Sequence, residues 1–101
     1  MRILSWNVNG IRAAIGKGLL EWFKNEQAEI VCLQEVKATH EQINGAFDAF
    51  PEYRVEWNSA KTKAGYSGVA TLSKLPFEKL SNGFGIEEFD LEGRIILQEF
   101  M

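Results

Sequence analysis

An α/β fold is what this 101-residue sequence predicts, and three observations predict it. Apolar side chains alternate over residues 2–8, placing Leu4, Trp6 and Val8 on one face with the period of a β-strand. From Ile11 the spacing changes: Ile11, Ile15, Leu19 and Phe23 recur every four residues, as along one side of a helix. Residues 29–35 return to a strand whose nearly continuous apolar centre, Ile30-Val31-Cys32-Leu33, suits burial on both faces. Strand, helix and strand at this spacing form a β-α-β unit with a parallel, right-handed crossover.

The elements follow in order. Gly10 ends the first strand. Gly16 and Gly18 interrupt the helical pattern, which predicts a short first turn and a better helix over 17–26. Thr39 caps a short helix reaching Phe50, with Gln42 in the capping-box position, and Pro51 stops it. Tyr53 to Asn58 is a third strand, 61–68 a loop, and Val69 to Ser73 a fourth strand followed by Pro76. Asn82-Gly83-Phe84-Gly85 is a turn cluster. Arg94 to Phe100 is a fifth strand, after which the sequence stops at Met101. Five strands and two helices make part of a sheet with helices on one side and no cover on the other. The expectation is that 1–101 is the N-terminal part of a single larger α/β domain, truncated after the fifth strand.

Composition narrows the function classes. Hydrophobic residues at 46% and charged residues at 25% exclude a disordered tail. No apolar run approaches the roughly 20 residues of a membrane span. Polar residues follow Met1-Arg2 too soon for a secretory leader, so the expected location is cytoplasmic, with no membrane partner. Cys32 is the single cysteine, which forbids an internal disulfide, and its apolar neighbours predict an inert core thiol. The net charge of −3 is uneven: residues 1–74 carry nine basic and eight acidic side chains, residues 75–101 two and six. A nucleic-acid binder often shows a basic excess, so a case for DNA has to rest on local sites here.

Glu35 is the sharpest candidate for chemistry. A carboxylate closing an apolar strand suits Mg²⁺, a hard ion that takes oxygen donors and often only one or two protein carboxylates. The strand alone favours a plainer reading, a solvated acid where the sheet meets water. Asn7 and Asn9 share a face with Ser5, and their amides could orient a phosphate, a water or that carboxylate; Asn-x-Asn-Gly is equally ordinary turn chemistry. Asn7 and Glu35 both sit at the C-terminal ends of parallel strands, so they could converge on the sheet edge where α/β proteins bind ligands. Gly65-Tyr66-Ser67-Gly68, after Lys61 and Lys63, offers backbone amides, a hydroxyl and cations for phosphate, or is a plain connection. Arg94 could fork onto a phosphate or brace a carboxylate, and bracing is the first reading. His40, the only histidine, reads as a surface residue, and Trp6, Trp22 and Trp57 as core or half-buried aromatics.

Four segments together shift these readings. Residues 5–13 (Ser-Trp-Asn-Val-Asn-Gly-Ile-Arg-Ala), 30–37 (Ile-Val-Cys-Leu-Gln-Glu-Val-Lys), 65–70 (Gly-Tyr-Ser-Gly-Val-Ala) and 92–96 (Glu-Gly-Arg-Ile-Ile) resemble the exonuclease III family of apurinic/apyrimidinic endonucleases. Order and spacing match that family's N-terminal half over essentially the whole chain. Leu-Gln-Glu-x-Lys is the most specific segment. The family commonly has Asp where this chain has Glu29, and some relatives have Asp at the position of Asn9.

The resemblance implies a four-layered α/β sandwich of two packed sheets flanked by helices. It implies Mg²⁺- or Mn²⁺-dependent hydrolysis of the phosphodiester 5′ to an abasic site, often with 3′→5′ exonuclease and 3′-phosphatase activity. Double-stranded DNA with abasic or 3′-blocked sites is then the partner, and the full-length protein a monomer. By position, Glu35 resembles the metal ligand and Asn7 its partner at the metal and phosphate, both catalytic. Arg12, Lys37, Tyr66, Ser67 and Arg94 resemble residues on the DNA side. The family's base Asp with its Asn partner, a catalytic Tyr and an Asp-His pair come from the C-terminal half, so the isolated chain is expected to be inactive and poorly folded. A phosphatase or other phosphodiesterase of the same superfamily, and a non-catalytic DNA-binding remnant, are the alternatives.

Overall fold

Strand β1 (Ile3–Asn7) runs parallel to β2 (Ile30–Gln34), in register from Ile3 opposite Ile30 to Asn7 opposite Gln34. Between them lie helices α1 (Ile11–Gly16) and α2 (Leu19–Glu26). The expected β-α-β unit is therefore present, with its helical part split. Gly18, at φ 104°, separates the two helices in a backbone conformation that suits glycine. The computed structural model that shows this describes residues 1–83 and 85–100; Phe84, from the expected turn at 82–85, and Met101 lie outside the described residues.

Strand β4 (Val69–Ser73) pairs antiparallel with β2, and β3 (Arg54–Asn58) antiparallel with β4. The sheet order is β1-β2-β4-β3, so the sheet is mixed. The register aligns Asn7, Gln34, Val69 and Asn58 in one row across the sheet. That row is one edge, and the connections leaving or entering it carry residues 8–10, 35–38 and 59–68.

Period two divides the sheet's faces. Val31, Leu33, Ala70 and Leu72 are buried with Ile11, Ala14, Leu19 and Phe23 of the helices. Burial of the valine, leucine, isoleucine and phenylalanine side chains among these stabilises by about 1.5–3 kcal/mol each, before conformational entropy is set against it. Trp22 and Trp57 are half-buried as expected, but Trp6, at the sheet's outer strand, is exposed at 36% and is covered only in part by Trp22, edge to face at 4.9 Å between centroids. Cys32 falls on the opposite face and is only half-buried, so it is not in the core between sheet and helices. Burial still pushes its thiol up.

Three expectations need correcting. The helix over Thr39–Phe50 is instead two 3-10 turns, His40–Ile43 and Ala46–Ala49. Asn44 and Gly45, both left-handed, break it in the middle. The capping position is real: Gln42 Oε1 accepts from the Thr39 N–H at 2.8 Å. The strand expected fifth is the sixth, and shorter. A strand β5 (Phe77–Ser81) pairs antiparallel with β6 (Leu97–Phe100) in a separate two-stranded sheet, and a one-turn helix α3 (Glu87–Asp90) lies between them. Nor is the far face bare. Asn58, buried, donates to Ile95 O at 2.8 Å, and Thr71 donates to Gln98 Oε1 at 2.6 Å, so residues 94–98 cross that face. The α/β class stands. Among the described residues no helix is long and apolar enough to cross a membrane.

Candidate functional site

The shared edge brings Asn7 and Glu35 into contact. Asn7 Nδ2 donates to Glu35 Oε2, and Asn7 Oδ1 accepts from the Asn9 N–H at 3.0 Å. With the backbone N–H necessarily the donor, the oxygen faces Asn9 and the amide nitrogen faces the carboxylate. Lys37 reaches back over the pair. Its Nζ donates to Asn9 Oδ1 at 2.6 Å and lies 3.7 Å from Glu35 Oε1. Behind them Gln34 Nε2 donates to Ser5 Oγ at 2.9 Å.

This cluster is partly open to solvent. Asn7 and Asn9 are exposed, and Glu35 and Lys37 are half-buried. Among the described residues no three His, Cys, Asp or Glu side chains group as a metal-binding set. What the cluster presents is the Glu35 carboxylate, a hard donor, with the Asn7 amide oxygen beside it turned to the Asn9 N–H. That set fits an ion such as Mg²⁺, which keeps several waters and needs few protein oxygens. Asn7 Oδ1 retains one lone pair beyond the Asn9 bond.

A second group lies on the neighbouring loops. Arg94 Nη2 donates to the Tyr66 hydroxyl at 2.5 Å, and Arg94 Nε to Glu92 Oε1 at 2.8 Å. The Tyr66 hydroxyl donates in turn to Glu92 Oε1 at 3.2 Å. Arg94 also stacks over the Tyr66 ring, 5.3 Å from its centroid, with Lys63 Nζ 5.9 Å away. The bracing use of Arg94 is thus present, onto the half-buried Glu92 carboxylate. Gly93 between them runs so close to the Ser59–Ala60 backbone that no Cβ would fit.

Arg94's hydrogen bond holds the Glu92 carboxyl below the usual carboxylate range, and the Tyr66 hydroxyl adds to it. Glu92 in return raises Arg94. A depressed folded-state pKa stabilises above the ordinary carboxylate value and is lost as pH falls through the depressed one. The stabilisation that Arg94 and Tyr66 give Glu92 is therefore present at neutral pH and is lost in acid. A ¹³C titration of the Glu92 carboxyl is expected to give a midpoint below an ordinary glutamate, returning upward in Arg94→Ala. Identical midpoints in the two proteins would refute the coupling.

The other candidates part company. Arg12 is exposed on the first turn of α1. Ser67 is buried, 6% exposed, with its hydroxyl toward Gly93 O at 3.5 Å, so that hydroxyl is not presented to solvent. His40 is exposed, as expected, and lies flat against Trp57 at 5.0 Å. The Lys37–Asn9 bond escapes sequence reasoning, because it depends on the backbone folding back after Glu35. The signal was present only as the short Glu-Val-Lys spacing.

Residues 4–100 match the Endonuclease/Exonuclease/phosphatase family. The chain belongs to that family. This endonuclease/exonuclease/phosphatase chain is 43% identical over 101 residues to the DNA repair nuclease APEX1 of Danio rerio, covering 99% of the chain and 33% of that protein. It is 47% identical over 102 residues to the exodeoxyribonuclease of Bacillus subtilis strain 168, covering 99% and 38%. Its fold is similar to that of an AP endonuclease from Archaeoglobus fulgidus, with a TM-score of 0.76 and 28% identity over 97% of this chain and 36% of that one. The family chain thus spans between 33% and 38% of the length of these curated relatives.

Proposed function

We propose that this chain supplies the phosphate-binding and metal-binding side of a DNA repair nuclease that hydrolyses the phosphodiester 5′ to abasic sites, with 3′→5′ exonuclease activity. The observation that carries the reading is the Asn7–Glu35 contact, with Lys37 beside it, at the end of two parallel strands. The identity to an exodeoxyribonuclease and to a DNA repair nuclease supports it.

Glu35 would hold Mg²⁺ or Mn²⁺, with Asn7 Oδ1 as a second donor. Such an ion neutralises charge on a phosphate and stabilises the oxygen that leaves it. The remaining work falls to side chains. Asn7 Nδ2 fixes Glu35 Oε2, which holds the carboxylate in one orientation. Lys37 sets a positive charge beside that carboxylate, where a DNA phosphate would lie. Tyr66 and Arg94 form an exposed aromatic and cationic ledge, and Arg12 a second cation, both suited to the backbone of a duplex. Ser67 acts from beneath, through the backbone. Double-stranded DNA with abasic or 3′-blocked sites is the proposed partner.

The test uses the natural protein on a duplex carrying a single abasic analogue. One cut 5′ to the lesion is expected, abolished by EDTA and restored by Mg²⁺. No cut with either Mg²⁺ or Mn²⁺ would overturn the reading, and hydrolysis confined to small phosphomonoesters would replace it with a phosphatase.

A further inference from the structure

The turn that carries Glu35 is backbone that needs holding. Glu35 and Lys37 both lie in the left-handed region, at φ 52° and 54°, and neither is glycine. Such residues cost energy and persist only where their surroundings determine them. Val36, between them, is fully buried.

Two sides grip this turn. From the β1–α1 connection, the Gly10 N–H donates to Glu35 O at 2.8 Å and the Ile11 N–H to Val36 O at 2.9 Å. From the other side, the Val36 N–H donates to Gly68 O at 3.1 Å and the Lys37 N–H to Ser67 O at 2.8 Å. Ser67 is itself left-handed, at φ 52°, and buried. Gly68 has φ 88°, and a Cβ built there would come within 2.8 Å of Val36 Cγ2. The missing side chain at 68 is the space into which Val36 packs.

We infer that Ser67-Gly68 is a positioning element for the divalent cation site, acting through Val36 and the backbone to fix where the Glu35 carboxylate stands. This rests on Glu35 as the cation's ligand. It gives the Gly-Tyr-Ser-Gly loop two separate tasks: Tyr66 faces outward with Arg94, and Ser67-Gly68 face inward against the Glu35 turn. Neither Ser67 nor Gly68 has to touch phosphate for the site to depend on them.

The experiment measures Mn²⁺ affinity of the natural protein by the paramagnetic signal of free ion, and duplex affinity separately in EDTA. Gly68→Ala is expected to weaken Mn²⁺ about 10- to 100-fold, the range for losing a group that orients a ligand. Duplex binding in EDTA is expected to hold. Adding Val36→Ala removes the methyl that the new side chain strikes, and part of the Mn²⁺ affinity is expected to return. Unchanged Mn²⁺ affinity in Gly68→Ala overturns the inference, as does a parallel fall in both affinities, which is what loss of structure alone would give. If Gly68→Ala does not fold, Val36→Ala by itself loosens the same packing without adding atoms. It should weaken Mn²⁺, and wild-type affinity there also overturns the inference. Glu35→Gln is the control on the premise: wild-type Mn²⁺ affinity in that variant removes the ligand assignment, whatever Gly68→Ala does.

Discussion

Glu35→Gln in the natural protein is expected to slow incision of an abasic duplex about a thousandfold. At about 1.4 kcal/mol per decade this is about 4 kcal/mol of transition-state stabilisation. The substitution is chosen for what it keeps. Glutamine preserves the size of the side chain and an oxygen that can still accept from Asn7 Nδ2. The negative charge is lost, and with it the carboxylate donor to a divalent ion and the ion pair with Lys37. Glu35 sits at the surface end of β2 rather than in the core, so the melting temperature should stay close to that of the unaltered protein. Single-turnover rates at saturating Mg²⁺ separate the chemical step from binding. A rate within tenfold of the unaltered protein would remove Glu35 from the reaction.

Phe23→Ala is expected to have the largest effect on stability. Phe23 is 2% exposed and sits at the centre of an aromatic group. Its ring centroid is 4.5 Å from Tyr53, 4.9 Å from Phe50 and 5.5 Å from Phe47, at tilted or edge-on angles. Truncation removes the ring's burial and leaves a cavity bounded by three other rings, a combination that costs about 3–5 kcal/mol. Domains of this kind are stable by only about 5–15 kcal/mol in all. Urea unfolding should show a lower midpoint with an unchanged slope. A loss under about 1 kcal/mol would mean that the group is not a core contact. Phe23→Leu, which refills most of the volume, should cost clearly less.

Where one physical signal dominated, the sequence was legible. Val69–Ser73 lies where alternation and flanking turns put it. β1 and β2 do too, within a residue or two at each end. The split between α1 and α2 was legible from Gly16 and Gly18. β5 was not. Phe77-Glu78-Lys79-Leu80 follows Pro76 and carries two charges in four residues, so its strand character comes from β6, a partner about 20 residues away. The start of β6 was misplaced for a related reason. Arg94-Ile95-Ile96 has strand-like composition, but its backbone is drawn across the main sheet, with Ile95 O taken by Asn58.

At the site, the meeting of Asn7 and Glu35 could be read from a β-α-β unit, because parallel strands end on one edge. The burial of Ser67 could not, since it depends on which strand β4 joins and in which direction. Nothing local in Tyr66-Ser67 says that one side chain faces outward and the next inward. The same holds for Lys37, which meets Asn9 only because Glu35 and Lys37 both turn left-handed.

The antiparallel entry of β4 beside β2 also has a kinetic meaning. Glu35 is supported on one side by residues that precede it by about 25 and on the other by residues that follow it by about 30. Each loop must close before its own set of hydrogen bonds is made, and closing such loops is entropically costly. A chain that has reached β2 holds the first support and lacks the second. The site therefore matures late, in the same cooperative step that zips β4 onto the sheet. Contacts so distant in sequence place that step among the slower ones in folding.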